Sequence, residues 1–559
     1  MIELSIGEIA DIVGGRLDGI SRAQASVTRV TATVEFDSRA LTPGGLFLAL
    51  PGARSDGHDF AQAAVEAGAV AVLAARPVGV PAIVVPPAPP VDAHAGVLEH
   101  DADGSGAAVL SALATLAATV AARLVAGGLR IVGVTGSSGK TSTKDLIAAV
   151  LRPLGEVVAP PGSFNNELGH PWTVLRATEQ TDFLVLEMSA RHRGNIAALA
   201  RIAPPSVGVV LNVGTAHLGE FGSREVIAAT KAELVQAVSD SGVVVLNADD
   251  RMVAAMAAQT SARVVTVGRS ASADVRAEDV ELDELARPRF TLVAPGGATV
   301  VQLAVHGEHQ VGNALSAAAV AFECGSTLAQ VAEALAGAPP ASRHRMEVRT
   351  RADGVTVIND AYNANPDSVR AGLQALATMA RQLGSGRADD AAEERGRGGA
   401  RQLGSGRADD AAEERGRGGA RQLGSGERRR SWAVLGEMGE LGEDSITEHD
   451  RIGRLAVRLD VSRLVVVGTG RPMSAMYQGA VMEGSWGSES VQVADADAAL
   501  ALLRAELVPG DVVLVKASNA AGLGALADSL LLAESTGQRT DKVGVEVDQQ
   551  SGTQTEPAT

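Results

Sequence analysis

The most constraining feature of this chain is a short loop, Gly136-Ser137-Ser138-Gly139-Lys140-Thr141. It follows the apolar run Ile131-Val132-Gly133-Val134-Thr135 and precedes the helical pattern STKDLIAAVL. A glycine-rich turn between a buried strand and a helix aims several backbone N–H groups and the helix N-terminus at one point, as phosphate binding requires. Gly136, Ser137, Ser138, Gly139, Lys140, Thr141 and Ser142 are therefore the candidate phosphate contacts. Lys140 is placed to reach the β- and γ-phosphates, and the Thr141 hydroxyl to hold Mg2+. The loop is the short G-x-x-G-K-T form, because position 134 is Val where the longer form needs Gly. A plain strand–turn–helix is the bland alternative, and motif and context together outweigh it.

The same region fixes the fold class. FLVLE (183–187), VGVVLN (207–212) and VVVLN (243–247) are unbroken aliphatic runs separated by Ala-rich helical stretches. Strands covered on both faces read this way, so 105–342 is predicted as a doubly wound α/β domain with ligands at the carboxyl ends of its strands. At 559 residues the chain exceeds the ~250–300 that one core supports, so further domains are expected. Residues 343–535 alternate again (VTVIND, SVRAGLQALATMARQL, WAVLGE, LVVVG, VVLVKAS) and form a second α/β unit. Residues 1–104 form a small α/β unit. Its strand runs from Leu46 to Leu50, a helix–strand pair lies in AQAAVEAGAVAVLAA, and 77–104 reads as loop and linker. RQLGSGRADDAAEERGRGGA at 381–400 recurs letter for letter at 401–420. The repeat lacks an apolar face to stack, so 381–426 is read as a disordered insertion and 536–559 as a disordered tail.

Composition narrows the function. A net charge of −17 argues against a general nucleic-acid binder, and 3 Trp, 2 Tyr and 8 Phe are too few to furnish base-stacking platforms. The single cysteine, Cys324, excludes an internal disulfide and a Cys-based zinc site, and its apolar context reads as a small hydrophobe. The start, MIELSIGEIADIVGG, lacks a basic leader and a sustained apolar run, and the uncharged stretch 105–122 is Ala-rich and reads as a packed helix. A cytoplasmic chain without membrane attachment is expected.

Three further residues stand out. Glu187 ends a buried strand near the phosphate loop, where an acid suits a metal; alone, it reads equally as a solvated strand end. Lys231 falls in the apolar stripe Ile227, Lys231, Leu234, Val238 of a helix. Burial lowers a lysine pKa, and a neutral amine can take up CO2 to give a carbamate ligand for Mg2+; a lysine snorkelling from the helix edge gives the same pattern. His217 follows the strand VGVVLN, where a hydrogen-bonded loop histidine is the commoner occurrence.

Taken together, the blocks DSRALTPGGLFLALPGARSDGHDF, TGSSGKTSTKD, GSFNNELGHP, LEMSARHRGNI, NVGTAHLGEFGS, GEHQVGNALSAAAVA, NDAYNANPDSVRAGL, LGEMGELG and LVKAS resemble the Mur ligase family in content and order. The resemblance covers about 30–535 outside the insertion and the Pro-rich linker. It implies an N-terminal UDP-sugar-binding domain, a central ATPase-like domain and a Rossmann-like C-terminal domain. It further implies an ADP-forming amide ligase of cell-wall peptidoglycan synthesis, working through an acyl phosphate. Asp360 to Pro366, DAYNANP, points to the branch that adds D-alanyl-D-alanine to UDP-N-acetylmuramoyl-tripeptide.

The roles it implies, residue by residue, are these. Lys140 holds phosphates, and Thr141 and Glu187 hold one Mg2+. His217 and a carbamylated Lys231 hold a second. Asn313 contacts adenine, Arg345 the γ-phosphate and Asp360 the ribose. Ser38 and Arg39 fall at the UDP moiety, Asn165 and Asn166 near the muramoyl-peptide and phosphate region, and Tyr362, Asn363 and Asn365 at the substrate. Several positions depart from the family pattern: Ser189, Arg191, Gln310, His344, Glu437 and Ala517. A monomer is expected, with a hinge near 340–343. The rivals are a related ligase adding a single amino acid and a nucleotide-gated ATPase switch.

Overall fold

The computed structural model describes the chain except residues 53–54, 88–97, 99, 216–217, 382–427, 485–488 and 533–559. The repeat insertion (apart from Arg381) and the polar tail thus lie outside the described residues. Among the described residues the strands form four sheets, of nine, six, five and two strands.

The nine-stranded sheet carries the phosphate loop. Its parallel part runs in spatial order Val157–Val158, Phe183–Glu187, Arg130–Thr135, Val207–Val210, Val243–Asn247, Arg263–Gly268, Val275–Leu282. Arg130–Thr135 is flanked by the next two long strands, one on each side, so chain order reverses there. Such a switch point leaves a crevice at the carboxyl ends, and the loop lies in it. Helices Lys140–Leu151 and Gln310–Glu323 cover one face, burying Leu146, Ile147, Val150, Ala314, Ala317 and Ala321. The sheet is not purely parallel. Pro288–Ala294 and Gly297–Gln302 extend it as an antiparallel hairpin. The signal was present in the Pro295-Gly296 turn between two alternating runs.

The N-terminal unit holds the five-stranded sheet, ordered Arg16–Asp18, Ala82–Val84, Ala69–Ala74, Gly45–Leu48, Val34–Glu35. Ala82–Val84 corrects the expectation of a continuous loop and linker over 77–104. This apolar triplet inserts between two strands and is fully paired. Proline on both sides had disguised it. Helix Ser105–Ala126 is long and apolar enough to span a membrane by composition. Here its apolar residues join a core shared with Ile6, Ile9 and Leu73 on one side and Ile131 and Leu186 on the other. It packs as a core helix between the first two units.

Residues 347–532 form the six-stranded sheet, ordered Glu347–Thr350, Thr356–Asn359, Val512–Lys516, Ser431–Leu435, Arg463–Val467, Ser490–Val493. It is parallel except for the first pair. Its central strands are buried on both faces, as their unbroken apolar runs require. The carboxyl ends of Thr356–Asn359, Ser431–Leu435 and Val512–Lys516 lead into loops that meet the phosphate loop across a cleft.

Candidate active site

The cleft between the second and third units holds a cavity of about 690 Å3. Ser137 to Ser142 form its floor, with Asn165, Asn166, Glu187, Arg345, Tyr362, Asn363 and Asn365 around it.

The loop is shaped from behind by a residue that the sequence reading missed. Asn212, at the end of VGVVLN, accepts at Oδ1 from the Ser137 and Ser138 N–H groups, both at 3.0 Å. Its Nδ2 donates to Ser138 O at 3.1 Å. Its position at a strand's carboxyl end was the signal available. Gly139 takes φ +82°, and a Cβ there would sit 2.7 Å from Asn313 Oδ1. Glycine is thus required on both conformational and steric grounds. Asn313 does not line the cavity. It braces the back of the loop and donates to Gln310 Oε1 at 2.8 Å. Gly136 also lies behind the floor, where its carbonyl accepts from Lys140 Nζ at 2.8 Å. Burial pushes the Lys140 ammonium below its ordinary pKa, against the pull of the Glu187 carboxylate.

One oxygen cluster faces the floor. Thr141 Oγ1 donates to Glu187 Oε2 at 2.9 Å and lies 2.6 Å from Ser163 Oγ. Asn165 Nδ2 holds the other Glu187 oxygen at 2.7 Å. Arg345 reaches across from the third unit, with Nη2 3.0 Å from Ser163 Oγ and 3.4 Å from Thr141 Oγ1. Its guanidinium stacks 4.3 Å from the Tyr362 ring centre. Ser163 lies in the block GSFNNELGHP, where no local feature marks it as a partner of Thr141. Thr141 and Glu187 offer hard oxygen donors, a set that fits Mg2+. Among the described residues no group of three or more His, Cys, Asp or Glu converges on a metal position.

Other expected residues lie elsewhere. Lys231 is buried on helix Arg224–Ala237 outside the cavity wall. Burial, and then the Lys140 charge, pushes its amine well below the ordinary lysine pKa. This is the buried alternative, not the snorkelling one. His217 lies outside the described residues. Ser38 and Arg39 sit in the first unit away from the cavity, and Arg39 is exposed and paired with Asp37 at 2.8 Å. Asp360, expected at a ribose, is not exposed to the cavity. Its Oδ1 accepts from Met346 N at 3.1 Å and its Oδ2 from Lys516 Nζ at 2.6 Å, one bond from the chain to each oxygen, and each oxygen can accept about one more. Cys324 is half-buried, and burial raises its thiol pKa, the opposite of a nucleophile.

Two seams hold the units around the cavity. Phe164 and Trp172 pack as a tilted pair at 4.6 Å and meet Phe36 of the first unit at 6.3 and 5.9 Å, while Trp172 Nε1 donates to Val34 O at 2.8 Å. In a chain so poor in aromatics, three gather beside Ser163 to Asn166. On the other side Arg191 pairs with Glu440 at 3.2 Å, and Asp367 Oδ2 accepts from Thr215 N at 3.1 Å.

Comparison with known proteins places this arrangement. The Mur ligase middle domain matches residues 134–321. The Mur ligase family catalytic domain matches 31–120, and the Mur ligase glutamate ligase domain matches 344–388 and 417–519, skipping most of the insertion. A UDP-N-acetylmuramoyl-tripeptide–D-alanyl-D-alanine ligase of Mycobacterium tuberculosis is 67% identical over 548 residues, covering 96% of this chain and 99% of its own. The chain belongs to the Mur ligase family. The Escherichia coli ligase of the same name is 33% identical over 68% of this Mur ligase and 77% of its own length. Among solved structures, MurF from Acinetobacter baumannii superposes with a TM-score of 0.72 at 26% identity, covering 95% and 99% of the two chains. MurF from Thermotoga maritima in complex with ADP gives 0.67 at 25% identity, covering 90% and 98%. The three-domain Mur ligase architecture is therefore that of this chain.

Proposed function

We propose that this Mur ligase joins D-alanyl-D-alanine to the terminal carboxylate of UDP-N-acetylmuramoyl-tripeptide, cleaving ATP to ADP and phosphate, and so completes a peptidoglycan precursor. The observation that carries this reading is the cavity in which Lys140, Thr141 and Glu187 of the central unit face Arg345, Tyr362 and Asn363 of the C-terminal unit. Near-complete coverage of a 67% identical ligase supports the choice of substrates.

The residues act mainly by position and charge. Phosphoryl transfer asks for alignment and neutralisation rather than a protein nucleophile. The loop N–H groups and Lys140 hold the β/γ-phosphates. Arg345 lies opposite, where charge builds up as the γ-phosphoryl leaves ADP for the substrate carboxylate. The dipeptide amine then attacks the acyl carbon, a C–N bond forms, the amine proton is lost and phosphate departs from the tetrahedral adduct. Thr141 and Glu187 would hold Mg2+, which neutralises phosphate oxygens when bound. We further assign Lys231, as a carbamate formed from its neutral amine and CO2, and His217 to a second Mg2+. Isotope-labelled bicarbonate should then give a carbamate resonance that Lys231→Arg lacks. Ser38 and Arg39 are assigned to the UDP moiety, Asn165 and Asn166 to the muramoyl peptide, and Asn313 to the adenine side of the loop. The working domain boundaries are 1–104, 105–342 and 343–535. With nucleotide substrates on both sides of the reaction, the cytoplasm is the compartment we assign.

The test is acceptor choice. Product mass is read after incubation with ATP, Mg2+, the UDP-tripeptide and either D-alanyl-D-alanine or single amino acids. Incorporation of the dipeptide alone supports the reading; a preference for a single amino acid would move the enzyme to another branch of the family.

A further inference from the structure

We infer that Glu440 receives the amine of the incoming dipeptide: its carboxylate binds the ammonium and takes a proton as the new C–N bond forms. The inference rests on the ligase reading above and deepens it by naming the group that meets the acceptor.

Among the described residues, three carboxylates line the cavity: Glu167, Glu187 and Glu440. Glu187 is committed to Thr141 and Asn165. Glu167 follows Asn165 and Asn166 on the wall assigned to the muramoyl peptide. Glu440 alone comes from the C-terminal unit, where Asn363 and Asn519 line the same cavity. The carboxylate to be activated meets the γ-phosphoryl over the floor of Lys140 and Thr141. The amine therefore arrives from the opposite wall, the one that carries Glu440. The charge of Glu440 reaches that floor. Burial lowers the Lys140 pKa, and the carboxylates of Glu187 and Glu440 both act against that.

The loop is built to project this side chain. It follows strand Ser431–Leu435, and Met438 and Leu441 are buried in the core on either side of Gly439 and Glu440. Met438 N donates to His449 Nε2 at 2.9 Å, and Gly439 N to Ser518 Oγ at 2.7 Å. Between these anchors Glu440 takes φ +63°, left-handed backbone that a residue with a Cβ avoids unless its surroundings hold it. Arg191 of the central unit pairs with Glu440 Oε1 at 3.2 Å. Even so paired, the Glu440 side chain is 36% exposed, so a ligand in the cavity can reach it.

The chemistry asks for such a group. A free α-amine has an ordinary pKa of about 8, so the dipeptide arrives largely as an ammonium at neutral pH. A carboxylate binds it through a charge-assisted hydrogen bond. One proton passes to water and frees the lone pair. The nitrogen then bonds to the acyl carbon and becomes cationic, and its surplus proton goes to Glu440. The acyl C–O bond breaks with its electron pair on the departing phosphate, the carbonyl is restored, and Glu440 returns its proton to water.

The test compares Glu440→Gln with Arg191→Gln in the full-length enzyme. D-alanyl-D-alanine is varied at saturating ATP and UDP-N-acetylmuramoyl-tripeptide, and KM is then measured for each of those two. Glutamine keeps the shape and an oxygen for Arg191 but carries neither the charge nor the base. The inference predicts a loss of about 100-fold in kcat/KM for the dipeptide in Glu440→Gln, the scale of a missing general base. KM for ATP and for the UDP-tripeptide should stay within about threefold of wild type, and Arg191→Gln should lose less. A mere tie between the units predicts equal losses in both variants, with all three KM values moving together. A loss below tenfold in Glu440→Gln, an equal loss in Arg191→Gln, or KM values for ATP and UDP-tripeptide that rise in step would overturn the inference. A wild-type enzyme that joins no amine would sink the ligase reading alone. Calorimetry of D-alanyl-D-alanine binding with ADP present would then decide the site. A loss of affinity of at least tenfold in Glu440→Gln supports it; a smaller change, or no binding to wild type, overturns it.

Discussion

Thr141→Val is the sharpest single perturbation of the oxygen cluster. Valine keeps the shape of threonine and puts a methyl in place of Oγ1, which touches Glu187 Oε2 at 2.9 Å, Ser163 Oγ at 2.6 Å and Arg345 Nη2 at 3.4 Å. Thr141 is 4% exposed, so water replaces the lost oxygen poorly. A hydrogen bond to a charged partner contributes about 1.5–3 kcal/mol. At ~1.4 kcal/mol per factor of ten, that is roughly a 10- to 150-fold loss in turnover. If the hydroxyl also serves as a Mg2+ ligand, the variant needs more Mg2+ to reach its maximum. The assay is phosphate release at saturating substrates over a Mg2+ series, with Thr141→Ser as the control that returns the oxygen and recovers to within about threefold. A Thr141→Val enzyme within twofold of wild type at every Mg2+ level would refute the reasoning, because the crowding around Oγ1 would then carry no catalytic weight.

Trp172→Leu removes the centre of the aromatic seam and its bond to Val34 O, at about 2–4 kcal/mol. The first thermal transition should fall, and KM for the UDP substrate should rise more than that for ATP; equal KM changes would count against the seam as a substrate-side joint. Arg429 N donates to Ala380 O at 3.1 Å, so the two ends of the repeat insertion meet. Replacing 382–427 by a short Gly-Ser linker should therefore leave turnover within about twofold and the melting temperature unchanged; a tenfold loss would show that the segment takes part. Burial works against the Asp56 charge, but the His58 backbone N–H, the His58 ring and the Arg76 guanidinium outweigh it and hold the carboxyl at about 2, against 3.8 ordinarily. Its stabilisation is present above the ordinary value and lost as pH falls to about 2. With the side chain a third exposed, it amounts to about 1 kcal/mol. Urea unfolding of Asp56→Asn should thus differ from wild type at pH 7 and converge with it near pH 2; a constant gap would be contrary to the linkage.

Much of this molecule was legible in its sequence because both large sheets are built from strands buried on two faces. IVGVT, FLVLE, VVVLN, WAVLG and VVLVK have no polar alternation to confuse with helix, and each forms a strand. Ala82–Val84 was lost because three apolar residues between prolines carry no period. The phosphate loop was read from local chemistry alone, and its flanking strand and helix followed. The rest of the site depends on long-range pairing. Beyond its place at a strand's carboxyl end nothing marks Asn212 as the brace behind Ser137, and nothing local marks Lys516 as the partner of Asp360, because these contacts join residues some 75 and 156 positions apart.

The central claim is that ATP cleavage here is spent on joining two peptides. The direct measurement is phosphate release from ATP and Mg2+ with UDP-N-acetylmuramoyl-tripeptide, in the presence and absence of D-alanyl-D-alanine, with the UDP product weighed by mass spectrometry. The account predicts sustained release only when both substrates are present, one phosphate for each dipeptide gained by the product. Sustained release without the dipeptide, and no gain in mass when it is added, would contradict it and leave an ATPase switch in its place.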